Sequence, residues 1–282
     1  MSAADALARA NAHCAALVRE HARDEWLGAL YAEPERRDGL IALAAFDREI
    51  RQARFRARDP NLVAMRLAWR REVLRGGRFE EGSGDPVMLA LGAAVKAYAL
   101  PLADIEAMLD ARLQELAPQE DFTLHAFENF ADESEGARLR LAARISAGGR
   151  ERDEQRADLP AGTALALTRM LLDLPARAGA APTLFPVDVA ERHGASLADF
   201  DARRATAAVI AACAEMRALA REKLAEAERR LKASPREILP AFIPLGALRL
   251  DLDAVDRPDP FAPVRKASPL RRQWAIWRWA RR

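Results

Sequence analysis

Asp47 and Arg51 stand four residues apart in the stretch 35–56, where Leu40, Leu43, Ala44 and Ile50 recur at helical spacing. A carboxylate and a guanidinium so placed on one helix reach each other, and an exposed pair of this kind contributes about 0.3 to 0.5 kcal/mol. A second group lies near the other end, where Trp274, Trp277 and Trp279 alternate with Arg271, Arg272, Arg278, Arg281 and Arg282 and no acid intervenes. Tryptophan beside arginine suits a helix settled in a lipid interface or against a partner, with Trp274, Trp277 and Arg278 as the contact. The competing arrangement packs Leu270, Trp274 and Trp277 on the core and leaves the arginines in water. His13, His21, His125 and His193 show no spacing that would build a zinc site, and the chain has no GxSxG elbow, no glycine-rich phosphate loop and no CxxC.

Composition narrows the classes further. The 282 residues carry 44 basic and 42 acidic side chains, so no global field gathers nucleic acid, and none is expected as a partner. Half of the residues are hydrophobic, which suits a folded chain rather than a disordered one. Cys14 and Cys213 are too few for a disulfide framework and fit a reducing compartment. The first twenty residues do not read as a secretory signal, and no stretch reaches the ~18 uncharged apolar residues of a spanning helix. The expected location is the cytoplasm, with a peripheral position on the inner face of the membrane if the Trp-rich helix engages lipid.

Alanine, leucine, arginine and glutamate dominate, and with apolar residues spaced by three and four they predict an all-α protein. Helices are predicted over 3–31 (one or two), 35–56, 62–74, 87–98, 102–116, 123–145, 160–174, 187–193, 198–232, 236–249 and 270–282. The segment opened by Pro160 is almost wholly apolar and should sit at the centre. The inner face of the 198–232 helix, Val209, Ile210, Cys213, Met216, Leu219 and Leu224, should line or fill a central cavity. One domain over 1–282 is expected, with 269–282 as its basic, Trp-rich terminal helix.

Three stretches carry a resemblance. Pro34, Arg37, Ala45, Phe46 and Arg48 form one; Gly162, Ala164, Leu167, Thr168, Leu171, Asp173 and Pro186 form the second; Pro269, Leu270 and Trp274 form the third. From about residue 20 onward the chain resembles the squalene and phytoene synthase family, all-helical enzymes that join two prenyl diphosphates head to head. The resemblance implies an isoprenoid synthase fold around a central cavity, in which two aspartate clusters hold magnesium against a diphosphate.

The residues at those positions depart from the family pattern. Arg51, Gln52 and Phe55 stand where the first cluster has aspartates, and in the second Asp173 remains but Arg177 replaces the closing aspartate, so four of five carboxylates are missing. Ala166, Arg169 and Leu172 replace a glutamine, an asparagine and an arginine, and Ala181, Pro182 and Leu184 a glycine, an arginine and a tyrosine. A guanidinium does not ligate magnesium. The expectation is a non-catalytic relative in which the metal site has become ion pairs, Asp47, Arg48, Arg51, Gln52, Phe55, Asp173 and Arg177 marking the degenerate motifs and offering at most a metal-free anion clamp.

The phrases VREHARDEWLGALYAEPERRDGLIALAAF and LFPVDVAERHGASLADF are similar to the group within this family typified by a mitochondrial respiratory complex I assembly factor. That likeness implies a role in assembling a membrane-bound respiratory complex, with no metal or other cofactor. Two alternatives remain open: an active prenyl transferase using magnesium on Asp47, Glu49 and Asp173, and a protein that holds an isoprenoid such as a quinone tail in the apolar cavity.

Overall fold

Helix follows helix in the computed structural model, which describes residues 2–56, 59–77, 79, 84–116, 121–152, 155–175 and 184–281, and no strand occurs among them. α1 (Ala3–His21) starts behind a capping box in which the Ser2 hydroxyl accepts from Asp5 N and the Asp5 carboxylate accepts from Ser2 N. α2 (Arg23–Leu30) and α3 (Pro34–Arg56) follow, α3 opening on proline, whose missing N–H costs nothing there. α4 (Pro60–Arg75) and α5 (Pro86–Tyr98) repeat that start behind the side-chain caps Asp59 and Asp85. α6 (Leu102–Gln114) leads to α7 (Leu124–Ala131), which runs through a π-helical turn, Asp132–Gly136, into α8 (Ala137–Ser146). The single rod predicted over 123–145 is therefore continuous but widened in its middle.

α9 (Asp158–Asp173) is the predicted central helix, and Ala161, Ala164 and Leu167 on it are wholly buried. α10 (Val187–Arg192), α11 (Leu197–Asp201) and α12 (Ala207–Lys232) come next. The predicted 198–232 helix is thus two helices. Arg203 adopts a left-handed φ of 54°, its guanidinium donates to the Phe261 carbonyl at 2.8 Å, and Thr206 caps α12 afresh through Val209 N. The helix expected over 236–249 is likewise broken, at the prolines 240 and 244, into a short 3₁₀ turn, α13 (Leu239–Phe242) and α14 (Leu245–Ala254). α15 (Pro269–Ala280) closes the described helices.

α12 covers one side of α9, and the π turn covers another. Val209, Cys213, Met216 and Leu224 of α12 are buried, while Ile210 and Leu219 are only partly so; this face fills the space against α9. The π turn meets α9 backbone to backbone. A Cβ on Gly162 would lie 2.6 Å from Gly136 N and 2.9 Å from Gly136 Cα, so the approach needs glycine on α9.

Both thiols are buried, and burial pushes each up to about 12, Glu49, Asp85 and Asp38 adding to the effect at Cys14. The native protein should therefore leave a disulfide reagent unreacted at mildly alkaline pH and release two thiolate equivalents once unfolded, counted by absorbance.

Candidate functional site

Five helices and the π turn bring charged side chains together beneath the surface. On α3 the Arg51 Nε donates to Asp47 Oδ2 at 2.9 Å, the pair expected from their spacing. Its setting differs from the expectation, because Asp47 is only 2% exposed and the surface value does not apply. Arg112 from α6 lies 3.8 Å from Asp47 Oδ1, and Arg138 from α8 lies 3.9 Å from Oδ2.

Glu135, at the π turn, is the hub. It accepts from Arg138 Nε at 3.1 Å and from Arg112 Nη2 at 3.4 Å, and it pairs with Arg169 of α9. Arg112 also bonds Glu115 one turn away at the end of its own helix, and Arg169 Nη2 donates to Glu25 of α2 at 3.3 Å. Among the described residues, four carboxylates thus face four guanidinium groups.

Local geometry explains how these side chains meet. Arg112 with Glu115, and Glu135 with Arg138, sit three apart and so share a helix face. Gly162 rests on Gly136, and Arg169 lies two turns further along α9 on the same side, which carries it to Glu135. Burial alone would raise the Glu135 carboxyl, but Arg169, Arg138, Arg51 and Arg112 outweigh it and hold the group well below the usual carboxylate range. Burial likewise works against the charge on Arg112, and Glu115, Glu135 and Asp47 overcome it.

Above the network, Arg48, Arg51, Gln52, Arg169 and Asp173 border a cleft of about 440 Å³ between α3, α9, the α1–α2 junction and the start of α15. Arg51, Gln52 and Asp173 also border a smaller pocket of about 70 Å³ walled by Phe127, Phe130 and Met170. The structure therefore gathers Asp47, Arg48, Arg51, Gln52 and Asp173 at one place. Arg177 and the side chain of Phe55 lie outside the described residues, as do Ala181 and Pro182.

Magnesium does not fit the donors described. Glu49 is two residues from Asp47, hence on another face of α3, and pairs with Arg70 of α4, which also donates to Asp85 at 3.1 Å. The set Asp47, Glu49 and Asp173 is not brought together. Glu115 and Glu135 do enter the smaller pocket from other helices, but each is bound to arginine. Among the described residues no cluster of three or more His, Cys, Asp or Glu side chains is spaced to hold a metal ion.

α15 departs from the competing arrangement considered above. Leu270 is 81% exposed and Trp274 57%, whereas Ile276 and half-buried Trp279 pack inward. The cause is Arg272, which turns inward to Asp24 of α2 (Nε to Oδ2, 3.2 Å) and to Asp251 of α14 (Nη2 to Oδ2, 2.9 Å). No indole could satisfy those two carboxylates, so the arginine takes the inner face and rotates the tryptophans out. No helix among the described residues is long and apolar enough to cross a membrane.

Arg112, Glu115, Glu135, Arg138 and Glu25 were not singled out from the sequence, and Arg169 was noted only as a replacement. The usable signal was a charged pair three apart on a face otherwise apolar, as in Leu109, Arg112 and Leu116 or in Ala131, Glu135 and Leu139.

The family model for squalene/phytoene synthase matches residues 18–278. Among characterised relatives, the chain is 23% identical over 247 residues to "NADH dehydrogenase (ubiquinone) complex I, assembly factor 6" of Mus musculus, covering 88% of this chain and 74% of that protein. Among solved structures, the squalene synthase HpnC from Alicyclobacillus acidocaldarius superposes with a TM-score of 0.70 at 20% identity, over 90% of this chain and 97% of that one. YisP from Bacillus subtilis superposes with a TM-score of 0.72 at 16% identity, over 98% of each chain. These likenesses establish the all-helical isoprenoid synthase fold.

Proposed function

Since the chain belongs to the squalene/phytoene synthase family, we propose that within it this protein is a non-catalytic factor that assists the assembly of a membrane-bound NADH dehydrogenase complex. The observation that carries the first half is the matched set of buried charges around Glu135. Carboxylates already held by guanidinium groups are not donors for magnesium, and the ion that would draw off a diphosphate has no ligand set among the described residues. No cofactor enters the proposal. The second half is supported by the relative named as an assembly factor, of which this chain spans three quarters.

The two alternatives fare less well. A prenyl transferase would need carboxylates free of arginine, and an isoprenoid holder would need an apolar chamber: the cleft of about 440 Å³ is bordered by the charged Arg48, Arg51, Arg169 and Asp173, and the smaller pocket walled by Phe127, Phe130 and Met170 measures about 70 Å³ against the roughly 300–1,000 Å³ of ligand sites.

Purified protein given a prenyl diphosphate and magnesium should release no diphosphate, and turnover would overturn the non-catalytic reading. Deleting the gene in the native host should deplete the assembled NADH dehydrogenase on native gels, with recovery when the gene is returned. An intact complex in the deletion strain would sink the assembly role.

A further inference from the structure

α15 has two faces, and only one of them has a partner in the fold. Its inner face is fixed at three points. Arg272 bridges Asp24 and Asp251, Ile276 is 1% exposed, and Trp279 Nε1 donates to Glu228 at 3.2 Å. A Cβ on Gly246 would lie 2.8 Å from Trp279 Cβ and 2.9 Å from Ile276 Cα, so α14 and α15 are in close contact along this side. The helix cannot roll to hide its other face without breaking these contacts.

The outer face carries Leu270, Trp274 and Trp277, at spacings of four and three, as one stripe along the axis. The two indoles stack at 4.9 Å between centroids, and Arg281 covers the Trp277 ring at 3.9 Å. Arg271 and Arg278 flank the stripe, exposed, and Arg265 and Lys266 precede it, also exposed. Between 260 and 281 there is no aspartate or glutamate, so no acid on the helix offsets these cations. Arg272, the one cation of α15 drawn inward, is spent on Asp24 and Asp251.

We propose that the outer face of α15 docks on an anionic lipid bilayer, lying in the plane of the surface with Leu270, Trp274 and Trp277 among the upper acyl carbons and Arg271, Arg278, Arg265 and Lys266 at the headgroups. The choice of occupant follows from charge and shape. An apolar ridge on a convex helix, bordered by Arg271 and Arg278 on one side and by no acid of the helix on the other, complements a soft apolar layer beneath a negative one. Indole rings favour that boundary because one edge is apolar and the other donates a hydrogen bond. The inference is independent of the assembly role, since it concerns a different face and is read without the respiratory complex.

The test is flotation of the full chain with phosphatidylcholine vesicles, with and without about 30% phosphatidylglycerol. The protein should float with the anionic vesicles about tenfold more than with the neutral ones, and about 0.5 M salt should remove most of that preference. Trp274→Ala with Trp277→Ala, and separately Arg271→Glu with Arg278→Glu, should each lower binding about tenfold. Leu270→Asp provides the third arm, at a side chain with almost no contacts to lose, and should also weaken binding while leaving the melting curve of the wild type. Protein that stays in the dense fraction with anionic vesicles, or variants that float like the wild type, would overturn the proposal and return the face to a protein partner.

Discussion

Glu135→Gln should cost about 3–5 kcal/mol of stability, read as a lower urea midpoint, because it strips the shared counter-charge from buried arginines. Arg112, Arg138 and Arg169 all bond or pair with that carboxylate. Adding Arg169→Gln to Glu135→Gln should restore part of the loss, since one stranded cation is then removed. A simple sum of the two single effects would show that the charges are not coupled.

The same side chain sets an acid limb. Its folded pKa lies below the ordinary glutamate value of about 4.3, so its contribution is complete above that value and is lost as pH falls from there through the folded one. Stability attributable to Glu135 should be flat from neutrality down to about pH 5 and decline in stronger acid. The Glu135→Gln variant should lack that part of the decline.

Gly162→Ala should destabilise the protein by about 2–3 kcal/mol. The sign is diagnostic, because alanine in place of glycine inside a helix ordinarily gains close to 1 kcal/mol. Here the added methyl meets the main chain of Gly136, which cannot swing aside as the tip of a side chain could. Gly84, where a Cβ would meet nothing within 4 Å, provides the control, and its alanine variant should melt near the wild type. Equal melting of the two variants would mean that the π turn yields more than the contact suggests.

Much of the fold was legible from one-dimensional patterns, for reasons these residues show. Proline at 34, 60 and 86, each preceded by an acid, marks helix starts by local chemistry alone. The run from Ala161 to Leu171 is apolar on nearly every side, Arg169 being its one charge, so its central place needed no knowledge of its neighbours. The break after Asp201 was hidden, because it depends on Arg203 reaching Phe261 nearly sixty residues away.

The site divides in the same way. Asp47 with Arg51 is a short-range relation and could be read from spacing. Glu135 with Arg169 is a tertiary one, created by two glycines in contact, and no period in the chain announces it. The orientation of α15 was left open by the sequence, because Trp274 and Trp277 suit burial as well as an interface. What decided it was a demand from elsewhere, two carboxylates on α2 and α14 that required the arginine between them.

The exact matching of acid to base beneath the cleft also bears on descent. Arg51→Asp alone would put a negative charge beside Asp47 in place of a positive one, and any remedy would strand a neighbouring arginine in turn. Gaining a set of free carboxylates at this centre one substitution at a time would pass through poorly folded intermediates. The arrangement works as an evolutionary ratchet, preserved by the need to fold even if selection on whatever occupies the cleft were to vanish.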